Sequence, residues 1–201
     1  GDVFYSGDFS SFRQRTIEGL RIPKLRPDIG IFESTYGNRL HSNRETEENR
    51  LIETVKECAE KGMKVLIPSF ALGRAQEVLL ILQSAMKSKK LPELPVYVDG
   101  MVRDINQAYM NHPNDLRLPL ARTIQKGNDP FYSDTVQPVG TADNRSELLN
   151  QKGCAVFVSS SGMLTGGPSL EYAKKLVGDE NACIIITGYQ DEEAPGRTLL
   201  N

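Results

Sequence analysis

Short apolar runs alternate along this chain with stretches whose apolar residues recur every three or four positions. Residues 3–6 (VFYS), 29–33 (IGIFE), 64–70 (KVLIPSF), 95–100 (PVYVDG), 155–160 (AVFVSS) and 183–189 (CIIITGY) read as strands. Most are apolar on both faces, the pattern of parallel strands buried from both sides. Between them lie helical patterns. Leu51, Ile52, Val55 and Ala59 share one face of a helix over 44–61, and Val78, Leu79, Leu82 and Met86 share one over 73–88. Residues 101–110 and 169–177 give shorter helices, and Ser42 or Asn43 caps the first helix, with Glu45 reaching back. Strand and helix in alternation predict an α/β fold: a Rossmann-like parallel sheet with helices on both faces. Residues 111–142 break the rhythm and read as a short helix among long loops, while 18–28 read as a connector.

In an open parallel sheet, ligands gather beyond the carboxyl ends of the strands. Most clusters of glycine with polar residues fall at those positions: GDFS, ESTYG, PSFALGR, DGM, SSSGMLTGG and GYQDEEAPGR. Ser69, Gly73 and Arg74 stand where a helix begins, and free N–H groups there attract anions. Arg74 adds a bidentate phosphate contact; the same residues equally suit a serine cap beside a solvated arginine. Ser160, Ser161 and the glycines after them lead into another helix, with Pro168 in its first turn. Seven Ser, Thr and Gly residues in SSSGMLTGG exceed what an ordinary turn requires. No lysine occupies the Walker position, which argues against a nucleoside triphosphatase. Tyr189 and Gln190 can stack on and hydrogen-bond a base, and Gly196-Arg197 repeats the small-then-basic theme.

Composition narrows the field. The longest apolar runs fall well short of the roughly 20 residues of a membrane span, and the chain starts with neither methionine nor a signal peptide. It reads as a piece excised from a longer protein. Three scattered cysteines without a CxxC suit a reduced, cytoplasmic setting and buried, inert thiols. A net charge of −2 confines any nucleic-acid contact to a local site. The two histidines, His41 and His112, have no second His or Cys at ligand spacing, so both read as structural or loop residues.

Taken in series, YSGDFS, ESTYG, PSFALGRAQE, VDGM, SSSGMLTGG and GYQDEEAPGR resemble the β-CASP branch of the metallo-β-lactamase superfamily, which includes the endonuclease of mRNA 3′-end cleavage and bacterial and archaeal RNases. The resemblance covers essentially the whole chain. It implies that residues 1–24 end a metallo-β-lactamase domain and connector, and that 25–201 form a β-CASP domain. It implies two zinc ions in the parent, bridged by Asp8, with Glu33 orienting a histidine. The HxHxDH segment and the remaining histidines of that site are not in this sequence. The fragment is therefore expected to bind no zinc and to be inactive, with its partners being RNA and the rest of the lactamase domain. A homodimer of the parent is left open. Ser69, Arg74, Ser160, Ser161, Tyr189, Gln190, Gly196 and Arg197 are the expected RNA contacts, and Asp8 and Glu33 the catalytic ones. One departure stands out: many relatives have Gly-Thr where this chain has Glu193-Ala194, so that hydroxyl is missing.

Two other readings fit the same glycine-rich strand ends. One is a non-catalytic module binding a nucleotide or sugar nucleotide, which the lack of GxGxxG after the first strand disfavours. The other is a purely structural scaffold, disfavoured by the presence of Asp8 and Glu33.

Overall fold

The computed structural model describes residues 1–38 and 40–200, with the side chains of residues 142 and 143 left aside. In chain order the elements are β1 (Val3–Tyr5), β2 (Ile29–Ile31), α1 (Arg44–Glu60), β3 (Lys64–Pro68), α2 (Arg74–Lys87), β4 (Val96–Asp99) and α3 (Val102–Asn111). They continue with a 3₁₀ turn (Pro113–Asp115), α4 (Leu118–Gln125), β5 (Val136–Pro138), α5 (Ala142–Asn150), β6 (Ala155–Ser159), α6 (Gly167–Leu176), β7 (Ala182–Ile184) and α7 (Pro195–Thr198).

Five strands form one parallel sheet in the order β5-β4-β6-β3-β7. The middle strands are the continuous apolar runs of the sequence. Val65, Leu66 and Ile67 of β3 and Val156, Phe157 and Val158 of β6 have no exposed surface, and each such side chain contributes about 1.5–3 kcal/mol of burial. Alternation then divides them between two faces. Val65, Ile67, Val96, Val98, Val156 and Val158 pack under α1, α2, α3 and α4. Leu66 and Phe157 meet Tyr172, Ala173 and Leu176 of α6, with Leu148 and Leu149 of α5 against them. The expected three-layer α/β architecture is therefore present.

The first two strands depart from expectation. β1 and β2 pair in parallel with each other and with no strand of the large sheet. They are not buried on both faces: Val3, Tyr5, Ile29, Ile31 and Phe32 are all exposed, Tyr5 by 72%. Phe4 and Phe32 pack on each other with ring centroids 5.6 Å apart, and most of the remaining apolar surface faces solvent. A division after residue 24 falls between these two paired strands.

Residues 111–142 hold more structure than expected. Beyond the short helix α4, β5 adds an edge strand, where Pro138 is tolerated because an edge does not need every N–H. Helix α5 was also unexpected; its residues are mostly polar and give no apolar stripe. At α1 the cap is Asn43, which accepts from the Thr46 amide at 3.2 Å. Thr46 therefore holds the position from which a side chain reaches back, one residue past Glu45.

The three thiols lie where inert cysteines belong. Cys58 is buried, and Cys154 and Cys183 pack half-buried against the same core. Burial, with the neighbouring Cys183 and Cys154, pushes the Cys58 thiol up to about 12. Among the described residues, no helix is long and apolar enough to cross a membrane.

Candidate functional site

Register sets the geometry of the site. Pro68 and Asp99 flank Ser159 on either side, so β3, β4 and β6 end abreast. The loops that leave them are drawn together. Ser69 donates its amide to Ser159 O at 2.8 Å, the Ser160 hydroxyl accepts from the Met101 amide at 3.1 Å, and Ser160 O accepts from the Ser169 amide at 2.9 Å. The Ser161 and Thr165 hydroxyls share a hydrogen bond at 3.0 Å, and Ser169 Oγ donates to Ser161 O at 2.7 Å. Ser69 itself is buried, its hydroxyl turned to Ile67 O at 3.2 Å. The helix that follows is capped by Gly73, whose amide donates to Gln76 Oε1 at 2.7 Å, rather than by Ser69.

The segment after β7 closes onto this edge. Gln190, nearly buried, donates from Nε2 to Gly162 O at 3.0 Å and to Tyr189 O at 2.8 Å. The Gly196 amide donates to Met163 O at 3.1 Å. A Cβ on Gly196 would stand 1.9 Å from Gln190 Oε1, and one on Gly162 would stand 2.8 Å from the Phe70 amide. These two glycines let three loops approach to backbone contact. Gln190 Oε1 is buried without a partner among the described residues, so an acceptor is available there for a water or ligand donor. Arg74, at the first position of α2, and Arg197, in α7, are exposed. Among the described residues, neither has an ion-pair partner. Tyr189 is exposed too. Five of the sequence-selected residues, Ser69, Ser160, Ser161, Tyr189 and Gln190, thus lie in loops joined at one edge, with Arg74, Gly196 and Arg197 on the helices those loops lead into.

Asp8 and Glu33 lie just beyond the carboxyl ends of β1 and β2. Asp8 is exposed. The Glu33 amide donates to Ser6 Oγ at 3.1 Å, and its carboxylate accepts from the Thr35 amide at 2.9 Å. Among the described residues, no three His, Cys, Asp or Glu side chains are grouped so as to hold a metal. His41 packs on Tyr36 with ring centroids 4.4 Å apart, and His112 closes the end of α3.

Two buried carboxylates escaped the sequence reading. Asp99 is almost fully buried and accepts from Arg145 Nε at 2.6 Å, Tyr172 Oη at 2.8 Å and the Gly100 amide at 2.6 Å. Arg145 also reaches Glu171 at 2.7 Å. Burial and then the Asp99 charge push the Tyr172 hydroxyl well above the usual phenol range, while Asp99 first, then Glu171, holds Arg145 firmly charged. An Asp ending an apolar strand before glycine was a visible signal; an arginine on a weakly patterned helix was not. The second carboxylate, Glu77 of α2, accepts from the Arg15 amide at 2.9 Å, the Thr16 amide at 2.8 Å and the Thr16 hydroxyl at 2.7 Å, and pairs with Arg44. Beside it Glu48 pairs with Arg15 at 2.5 Å and Arg44 at 2.8 Å. Burial pulls the Glu48 carboxyl upward, but the hydrogen bonds from Arg15 and Arg44 outweigh it and hold the group below the usual carboxylate range.

Comparison with known proteins agrees with this architecture. The Beta-Casp domain model matches residues 75–199. Transcription termination factor FttA of Pyrococcus horikoshii is 37% identical over 201 residues, which cover 98% of this chain and 31% of the relative. FttA of Methanocaldococcus jannaschii is likewise 37% identical, with 32% of its length covered. An RNase J-like protein of the same organism is 38% identical over 199 residues, 45% of its length. The chain thus spans about a third of the FttA relatives and under half of the RNase J-like one. With a fold of this topology and a model match over most of its length, the chain belongs to the Beta-Casp domain family.

Proposed function

We propose that the full-length protein is a zinc-dependent ribonuclease of metallo-β-lactamase fold, acting in the cytoplasm, and that this chain supplies its RNA-gripping cap. The observation that carries the reading is the joining of the 69–74, 160–167 and 188–197 segments at one sheet edge, with Arg74, Arg197 and Tyr189 exposed there. Exposed guanidinium groups suit phosphates, and an exposed phenol ring suits a base face. The name of one relative, an RNase J-like protein, points the same way.

The ribbon supports the other half of the proposal. Its exposed apolar residues suit a sheet continued by the remainder of a lactamase domain. Because β2 pairs with β1, we assign both strands, with Asp8 and Glu33, to that portion, and the cap to the chain from α1 onward. Asp8 offers one carboxylate to zinc, and the described residues bring no complete ligand set to it. No step through zinc is therefore assigned to this chain, which on its own is expected to be inactive. The cap's residues bind and orient RNA.

RNA affinity of the full-length protein at several salt concentrations tests the reading. Arg74→Ala and Arg197→Ala should each weaken binding across sequences and lower the salt slope by about one phosphate's worth. Unchanged affinity in both variants removes this edge from the RNA path.

A further inference from the structure

Among the described residues the ribbon beside Asp8 and Glu33 shares no strand pairing with the large sheet, yet residues 13–18 of the chain between its strands are fastened to the cap. Residues 10–20 form a closed loop, its neck tied by the Leu20 amide donating to Ser10 O at 2.8 Å and its tip by the Gln14 amide donating to Ile17 O at 2.9 Å. Gly19 presses on the neck so closely that a Cβ there would lie 2.5 Å from Ser11 O. The tip docks on three helices. Glu77 of α2 accepts both the Arg15 and Thr16 amides and the Thr16 hydroxyl. Glu48 of α1 holds the Arg15 guanidinium. From the start of α4, the Arg117 amide donates to Thr16 O at 2.8 Å, and its side chain reaches Gln14 O and Glu18, both at 3.0 Å. Arg44 binds Glu77 and Glu48 and donates to Arg13 O at 3.3 Å.

A carboxylate that is 2% exposed and takes its partners from residues about 60 positions away is an anchor between separate parts of a chain. Deprived of those partners, it would be left buried and unpaired, which is costly. Its partners include two main-chain amides, so it fixes backbone, not merely side chains. Asp8 lies two residues before the neck of the loop so anchored, and Ser6, just upstream, binds the Glu33 amide.

We propose that the 10–20 loop is a latch that sets the position of the Asp8- and Glu33-bearing ribbon relative to the strand-end cluster, with Glu77 as its positioning residue. The proposal rests on the reading of that cluster as an RNA grip. A latch of this kind matters to a substrate long enough to engage both places. A diester small enough to react beside the ribbon does not depend on it.

The test uses the full-length protein, comparing wild type with Glu77→Gln, which keeps side-chain shape but can neither accept both backbone amides nor neutralise Arg44. Hydrogen exchange reads the latch directly. Protection of the Arg15 and Thr16 amides should fall about 10-fold or more, with β3 and β6 unchanged. Cleavage of an RNA oligomer should fall about 10- to 100-fold, while hydrolysis of bis(p-nitrophenyl) phosphate stays at the wild-type rate. Arg117→Ala, which loosens the tip from α4 without touching α2, should move both readouts in the same direction by less. Undiminished protection at Arg15 and Thr16 overturns the latch, as does an equal fall in RNA and small-diester hydrolysis. If wild type cleaves RNA and Glu77→Gln matches it, the latch fails and the ribonuclease reading stands. If wild type hydrolyses neither substrate, the ribonuclease reading fails, and the exchange result alone decides the latch.

Discussion

The two ends of this chain present strands to solvent in opposite ways. The five-stranded sheet buries its faces, and at its carboxyl end Ser160 and Tyr189 stand on loops tied to one another, with Arg74 at the start of α2. The β1–β2 ribbon does the reverse: its apolar side chains are exposed, and the nearby Glu33 carboxylate accepts from the Thr35 amide. The first region is finished by its own residues. The second has the apolar surface of a strand pair with no layer over it. A polar loop can therefore be read as a site on the first, whereas on the second the exposed Ile, Val and Tyr are the informative feature.

Substitutions sharpen that contrast. The largest effect is expected at the finished end. Asp99→Ala leaves the Tyr172 hydroxyl and the Arg145 guanidinium without their shared acceptor, and should cost about 3–5 kcal/mol in urea unfolding. Asp99→Asn, which retains an acceptor for Tyr172, should cost less. A cost under about 1 kcal/mol would show that the sheet end does not depend on this network. On the ribbon, Glu33→Gln should leave stability and RNA affinity nearly intact and slow single-turnover cleavage by the full-length protein about 10- to 100-fold. An equal loss in affinity would place Glu33 in the grip instead.

Smaller effects follow. Tyr189→Ala should weaken RNA binding by about 1–3 kcal/mol with little change in salt slope, as loss of a stacking face does. A changed slope with unchanged affinity at low salt would contradict stacking. The smallest effect concerns Glu48, the carboxylate beside the loop that joins the two regions. Its folded-state value is depressed, so its contribution is present above the unfolded carboxylate range and is lost as pH falls through the folded value. Glu48→Gln should flatten that acid limb of the stability curve, modestly because the pair is partly solvated. An acid limb identical to wild type would mean that Arg15 and Arg44 gain nothing from the charge.

Much of the sheet was legible. Val65 to Ile67 and Val156 to Val158 are apolar without interruption, and only strands covered on both faces demand that. The strand-end loops were legible for a related reason: glycine and serine crowd there because loops must touch, as Gly162 and Gly196 do. The ribbon misled because local pattern reports that a strand wants burial, not which layer will provide it. Helix α5 and strand β5 were missed since Arg145 and Pro138 act through a long-range ion pair and an edge position, neither of which leaves a periodic trace. Glu77 looked like an ordinary helical residue. Its meaning comes from Arg15 and Thr16, and the sequence gives no hint of a pairing at that separation.

Strand order carries one further consequence, for how such a chain is made. The central strand β6 lies between β4 and β3, and β3 has β7 on its other side. During synthesis, β3 leaves the ribosome with no large-sheet neighbour until residues 155–159 have followed it, and β4 has only the short edge strand β5 to pair with before then. Such long-range parallel pairing closes slowly and leaves apolar strand edges open meanwhile. The interval before β6 arrives is therefore the period in which a growing chain most needs a chaperone, and truncations ending before residue 155 should aggregate rather than fold.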